Sequence, residues 1–280
     1  MAAGPLFAVE NVTKAYRLRS ATTRWGRHAE VKAVSKVSLD IREGEVFGII
    51  GESGSGKSTL GLLLADIEAP TSGTIRFRCQ ALDQMGRGEH KRFRQKVQVV
   101  FQDSASALNP RRKIGAVLRD SLALRGLPRA RHGQALNELL VSVGLAMHHA
   151  DRYPHQLSGG QRQRVGIARA LAMQPEVLIA DEPASALDVS VQAQILNLLL
   201  DLREKLNLTI VLISHDIAVV HHASDRIAVM RGGEVLENNA AEEIIRAPRH
   251  DYTRTLIAAV PKGLRDAACG VIDGTIFGAD

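Results

Sequence analysis

Residues 46–59 read Val46-Phe47-Gly48-Ile49-Ile50-Gly51-Glu52-Ser53-Gly54-Ser55-Gly56-Lys57-Ser58-Thr59: five apolar or small residues, a glycine-rich loop, then a lysine and two hydroxyls. The uninterrupted apolar run is what a strand buried on both faces of a parallel sheet requires. The loop fits the pattern Gly-x-x-x-x-Gly-Lys-Ser in its strand–loop–helix setting, with Leu60, Leu63 and Leu64 carrying the helix onward. Glycines let the backbone curl so that successive N–H groups point inward at an anion, and the helix that follows offers its positive end to the same charge. In such a loop Lys57 reaches the β- and γ-phosphates of a nucleotide, and the Ser58 hydroxyl ligates Mg²⁺. Gly51, Ser53, Gly54, Ser55, Gly56, Lys57, Ser58 and Thr59 are therefore candidate nucleotide-binding residues.

Two further stretches complete this chemistry. Val177-Leu178-Ile179-Ala180-Asp181-Glu182 is a second buried strand, delivering two acids at its C-terminal end, where parallel sheets bind ligands. Asp181 is placed to hold Mg²⁺, and Glu182, one residue on, to polarise an attacking water as general base. Between the two lies Leu157-Ser158-Gly159-Gly160-Gln161. Ser158 is a helix cap, and Gly159 and Gly160 expose backbone N–H groups with no side chain in the way. That makes a second anion-binding helix start. One chain needs a single phosphate cradle per nucleotide, so the second cradle points to a shared site.

Composition narrows the class. The chain has 280 residues, 45% hydrophobic, enough for one large α/β domain with a small appendage. The formal net charge of +6 comes from scattered Lys and Arg, with Lys91–Arg94 and Arg111–Lys113 the densest clusters. No helix-turn-helix or RNA-recognition pattern is evident, so no nucleic-acid partner is expected. Cys79 and Cys269 have no paired spacing, which fits a reducing compartment and argues against a disulfide framework or zinc site. There is no signal-peptide pattern, and no apolar run approaches the roughly 20 residues of a membrane span.

Along the chain, Val31–Ile41 reads as the first strand, with a Glu43-Gly44 turn before Val46–Ile50. Thr74–Arg78 and Val97–Phe101 are further strands. From about Ile114 to Arg164 the signals are helical, broken at Gly126-Leu127-Pro128 and Tyr153-Pro154. Val191, Ile195, Leu198, Leu202 and Leu206 recur at helical spacing, and Leu208–Ile213 is again a strand. Arg231-Gly232-Gly233-Glu234 reads as a hairpin, and two short helices follow Ala240. Neighbours on a helix do not share a face, so His148-His149 and His221-His222 read as solvated or capping rather than metal-binding.

The order phosphate loop, Leu-Ser-Gly-Gly-Gln, strand with Asp-Glu resembles the ATP-binding subunit of ABC (ATP-binding cassette) transporters, over about Val9 to Pro261. The resemblance implies an α/β fold: a P-loop (RecA-like) parallel-sheet core with an N-terminal antiparallel β subdomain and a helical insertion. The cassette would span residues 6–240, the insertion about 104–165, and a short C-terminal extension 241–280. It also implies a dimer in which Ser158, Gly159, Gly160 and Gln161 of one subunit cap the γ-phosphate held by the partner. Gln102 matches the glutamine loop that senses metal and attacking water. Ser185-Ala186-Leu187-Asp188 matches the loop lining the dimer seam, and His215 the switch histidine on the γ-phosphate. Tyr16 resembles the aromatic residue that stacks on adenine, with Trp25 in a nearby loop insertion.

Val100–Arg111, Tyr153-Pro154-His155-Gln156 and Ala247–Leu256 are similar to the peptide/nickel importer group, in particular its second ATPase, although Asp251 stands where that group usually has proline. Some relatives hold an iron–sulfur cluster in this tail. Cys269 alone cannot, since a cluster takes about four thiolates. The expected cofactors are ATP and Mg²⁺. The expected partners are a second ATPase subunit in a heterodimer, two transmembrane permease subunits and, indirectly, an extracytoplasmic solute-binding protein. The expected place is the cytoplasmic face of the membrane, as a peripheral subunit. The implied activity is ATP hydrolysis powering uptake of small peptides. Nickel or other metal chelates, opines or glutathione are the alternative cargoes, and a soluble ATPase of DNA repair or translation is the rival from another class.

Overall fold

The computed structural model describes residues 4–18, 29–102 and 108–258. A four-stranded antiparallel sheet contains β1 (Phe7–Leu18), β2 (Ala29–Ile41), β4 (Ser72–Phe77) and β5 (Gln80–Ala81), in the order β2-β1-β4-β5. A six-stranded sheet contains β3 (Val46–Ile50), β6 (Val97–Val100), β7 (Val177–Asp181), β8 (Thr209–Ser214), β9 (Arg226–Arg231) and β10 (Glu234–Ala240). Its order is β10-β9-β3-β8-β7-β6, parallel throughout except for the β9–β10 hairpin.

Alternation across the large sheet explains the unbroken apolar runs. Val46, Ile50, Leu178, Ala180, Ile210 and Leu212 belong to one core. Their neighbours Phe47, Ile49, Val177, Ile179, Val211 and Ile213 belong to the other, shared with the antiparallel sheet. Every position of β3 and β8 is buried. Each large side chain so placed contributes about 1.5–3 kcal/mol, so neither face tolerates a polar break. Gly48 in β3 admits α7 (Ile217–Ala223) closely, because a Cβ there would lie 2.2 Å from Val220.

The helices fall into three groups along the chain. α1 (Lys57–Leu64) packs on β7 and β8, and α6 (Val189–Leu206) packs against the helix before β7 and sends Ile195, Leu196, Leu199 and Leu202 into the same core as Leu178 and Leu212. Between β6 and β7 lie α3 (Ile114–Leu124), α4 (His132–Ser142) and α5 (Gly159–Leu171), broken where Gly126-Leu127-Pro128 and Tyr153-Pro154 predict; α5 runs past the bound of about 165 expected for the insertion. α8 (Ala241–Arg246) and α9 (Asp251–Ala258) are the two short C-terminal helices.

Among the elements that the sequence reading leaves out are β1, which precedes the first anticipated strand, the two-residue β5, and α2 (Arg87–Lys96). Asn11 in β1 has φ 49° and the register shifts between Glu10 and Thr13, so the buried positions run Phe7, Val9, then Val12. A bulge of this kind hides the period of two. In α2 only Phe93 is buried, inside an aromatic cluster whose ring centroids lie 6.3 Å from Phe7 and 5.1 Å from Phe77. Trp25, Cys269 and Asp103 to Ala107 lie outside the described residues.

Candidate nucleotide site

The parallel strands end on one edge, and each hands a functional group to it. β3 leads into the P-loop, β6 into Gln102, β7 into Asp181 and Glu182, and β8 into His215. The loop's turns need glycine. Gly54 and Gly56 have φ of 79° and 100°. A Cβ on Gly56 would lie 2.0 Å from the Ala33 carbonyl oxygen on β2, and the hairpin-tip Gly233 N–H donates to Ser55 O at 3.0 Å. The antiparallel sheet and the β9–β10 hairpin thus brace the loop from outside, a contribution that no motif in Ala33 or Gly233 announces.

Lys57 is folded onto the loop. Its Nζ donates to Gly51 O at 2.7 Å and Glu52 O at 2.8 Å. Burial holds this ammonium below its ordinary value, opposed by the charges of Glu182, Asp181 and Glu52. The Ser58 hydroxyl donates to Asp181 Oδ1 at 3.0 Å, so the P-loop and the β7 acid meet as the sequence predicts. Burial pushes the Asp181 carboxyl up from its ordinary 3.8, with Glu182's charge adding and the Ser58 bond and Lys57 opposing.

Glu182 adopts φ 49°, a left-handed conformation that costs a non-glycine residue about 1–3 kcal/mol. Its backbone N–H is spent on Ile213 O at 2.9 Å, and its carboxylate turns to His215. His215 donates from its backbone N–H at 3.0 Å and from Nδ1 at 2.8 Å. With Nδ1 donating to the Glu182 carboxylate, the other ring nitrogen is Nε2, on a side chain that is largely exposed. Gln102 Nε2 donates to Ser185 Oγ at 3.1 Å, which links the glutamine loop to the loop after β7. Asp188 caps α6, accepting from Val191 N–H at 2.9 Å.

The second cradle sits apart from this network. Ser158 Oγ accepts from Gln161 N–H at 3.2 Å, while Gln161 Oε1 accepts from Ser158 N–H at 3.0 Å. This reciprocal capping box uses Gln161 to build the helix start. Gly159 and Gly160 stand in the first turn, where N–H groups have no intrahelical acceptor. A Cβ on Gly159 would lie 2.9 Å from Leu187, and one on Gly160 2.5 Å from Val191, so the segment packs against the loop and helix around Asp188. Gln161 Nε2 also meets His149 Nε2 at 3.3 Å. His149 is buried, its Nδ1 on Ala146 O and its ring 4.1 Å from that of His148, a capping role without solvation.

Tyr16 is 37% exposed, with Lys14 Nζ 5.3 Å from its ring centre and its hydroxyl donating to Glu68 at 2.6 Å. One further contributor has no motif: Tyr252 on α9, whose hydroxyl accepts from Glu52 N–H at 3.1 Å.

The chain is similar to known proteins. The family model described as ABC transporter matches residues 34–185. The dipeptide transport ATP-binding protein DppF of Escherichia coli (strain K12) is 46% identical over 233 residues, covering 83% of this chain and 70% of that protein. The oligopeptide transport ATP-binding protein OppD of Mycobacterium bovis is 44% identical over 254 residues, covering 91% of this chain; the chain spans 42% of that longer protein. A dimeric post-hydrolysis structure of the ATP-binding cassette MJ0796, bound to ADP and Pi, superposes with a TM-score of 0.71 at 31% identity, over 84% of this chain and 98% of that one. With P-loop, acids, glutamine and histidine on one sheet edge and the Ser158 segment on a separate helix start, this chain belongs to the ABC transporter family of ATP-binding proteins.

Proposed function

We propose that the chain is the ATP-hydrolysing subunit of an importer for small peptides, paired with a second ATPase on two permease subunits at the cytoplasmic face of the membrane. The names of the similar dipeptide and oligopeptide transport proteins support the cargo class. Among the described residues no helix is long and apolar enough to cross a membrane, so the path for solute would belong to the permeases.

The observation that carries the mechanism is that one chain builds two candidate phosphate cradles, one at the start of α1 and one at the start of α5. The P-loop holds the triphosphate from Gly51 to Thr59, and Tyr16 offers its exposed ring to the base. The Ser58 hydroxyl and the half-buried Asp181 carboxylate, 3.0 Å apart, are the hard oxygen donors that Mg²⁺ takes alongside phosphate and water. Bound there, the ion would supply charge neutralisation to the phosphate oxygens. Glu182 receives the proton of the attacking water, and Gln102 orients that water. His215 meets the γ-phosphate through Nε2. Ser158, Gly159 and Gly160 present their hydroxyl and N–H groups to the γ-phosphate on the partner, with Asp188 on the seam between. These contacts exist only in the closed dimer, so ATP binds the closed state better and hydrolysis releases it. Val189, 84% exposed beside Asp188, gives that seam an apolar surface to bury.

Substitution Ser158→Arg tests this reading. The isolated subunit is expected to bind ATP as before, and the assembled transporter to lose ATP turnover. Loss of ATP affinity in the isolated subunit would refute the shared site.

A further inference from the structure

A side chain of the C-terminal helix α9 reaches the P-loop. α9 is docked by Glu237 on β10, whose buried carboxylate accepts from Arg249 N–H at 2.8 Å and His250 N–H at 3.3 Å. That places a negative charge at the start of the helix, where its dipole favours one. Arg254 closes the same turn, donating to Pro248 O at 3.2 Å and Arg249 O at 3.3 Å. So fixed, α9 points Tyr252 back into the molecule. The ring is 5% exposed and lies under the Arg231 guanidinium at 4.7 Å.

The Tyr252 hydroxyl accepts from Glu52 N–H. That N–H and the Gly51 carbonyl belong to one planar trans peptide, so they point in opposite directions. The carbonyl accepts from Lys57 Nζ at 2.7 Å. Tyr252 and Lys57 therefore hold the two ends of the same peptide group, and rotating it would break both bonds together. Gly51 has no side chain to resist such a rotation. It cannot acquire one, because a Cβ would lie 2.1 Å from Met230 O.

We propose that Tyr252 is a positioning residue for nucleotide binding: it fixes the Gly51–Glu52 peptide, and with it the seat of Lys57, and so couples the docking of α9 to occupancy of the P-loop. The coupling is reciprocal, since a contact that favours the nucleotide-bound loop must be favoured by nucleotide in turn. The inference rests on Lys57 acting at the phosphates.

Tyr252→Phe in the full chain removes only the hydroxyl. Expected are about fivefold weaker binding of a non-hydrolysable ATP analogue, the worth of one hydrogen bond, and in the assembled transporter a raised KM for ATP with kcat retained. Hydrogen exchange gives an independent readout: the analogue should slow exchange of the 249–258 amides in the wild-type chain and leave them unaffected in the variant. Unchanged affinity in Tyr252→Phe, or wild-type α9 amides indifferent to the analogue, would overturn the proposal. A Lys57→Ala chain run alongside separates the layers. If it binds like wild type, the phosphate reading of the loop fails and this inference with it. If it loses binding while Tyr252→Phe keeps it, only the role of Tyr252 falls.

Discussion

The P-loop edge of the large sheet and the Ser158 segment differ in how their polar groups are satisfied. At the sheet edge, Lys57, Ser58, Asp181, Glu182 and His215 are hydrogen-bonded to one another or to the loop backbone. Around Ser158 the side-chain hydrogen bonds among the described residues are local, to the helix start they build and to His149, and Gly159 and Gly160 stand in a first turn whose N–H groups have no intrahelical acceptor. In the reading proposed above, the first region is a site that the chain assembles alone, and the second a site half that offers its donors to a partner.

Substitutions on the two sides should therefore fail differently. The largest effect is expected from Glu182→Gln, which keeps the hydrogen-bonding shape but cannot take a proton. ATP turnover in the assembled transporter should fall by about 10²–10⁴-fold while filter-binding of ATP persists. Wild-type turnover would remove Glu182 from the role of base. Next is Gly160→Val, where the added atoms meet Val191. Transport and ATP-driven dimerisation should be lost, with P-loop affinity of the lone subunit retained; equal loss of both would erase the distinction between the regions.

Asp181→Asn sharpens the comparison from the other side. The Asp181 carboxyl lies above its ordinary 3.8, so the folded subunit holds that proton more firmly than the unfolded chain does. Its ionisation therefore opposes folding, and nucleotide-free stability should rise as pH falls toward 3.8 through the shifted value. The amide should raise the melting temperature by about 2–4 °C and abolish metal-dependent hydrolysis. A lowered melting temperature would contradict the burial argument. The smallest effect belongs to Asp188→Ala, which removes the α6 cap at a cost of about 1 kcal/mol, read by chemical denaturation.

Legibility followed burial and covalent neighbourhood. β3, β7 and β8 were readable because both faces are buried, which leaves apolar runs that no loop resembles. The residues just after those strands were readable for the same reason. β1 was hidden by the bulge at Asn11, and α2 by having Phe93 alone as its buried anchor. Gly233, Ala33 and Tyr252 were illegible as site residues because they act across the fold. Glu52 and Tyr252 are separated by 200 positions and joined by one hydrogen bond. Local pattern records which element a residue belongs to, and long-range contacts of that kind leave no periodic trace.

The fold-back of Lys57 onto Gly51 and Glu52 has a consequence for how the loop can be altered. One ammonium ties the exit of β3 to the first turn of α1, so its side chain is a clasp within the fold as well as a charge. Shortening it would remove both at once. An exchange for arginine would keep the charge and lose the fit, since a planar guanidinium does not match the compact seat of an ammonium.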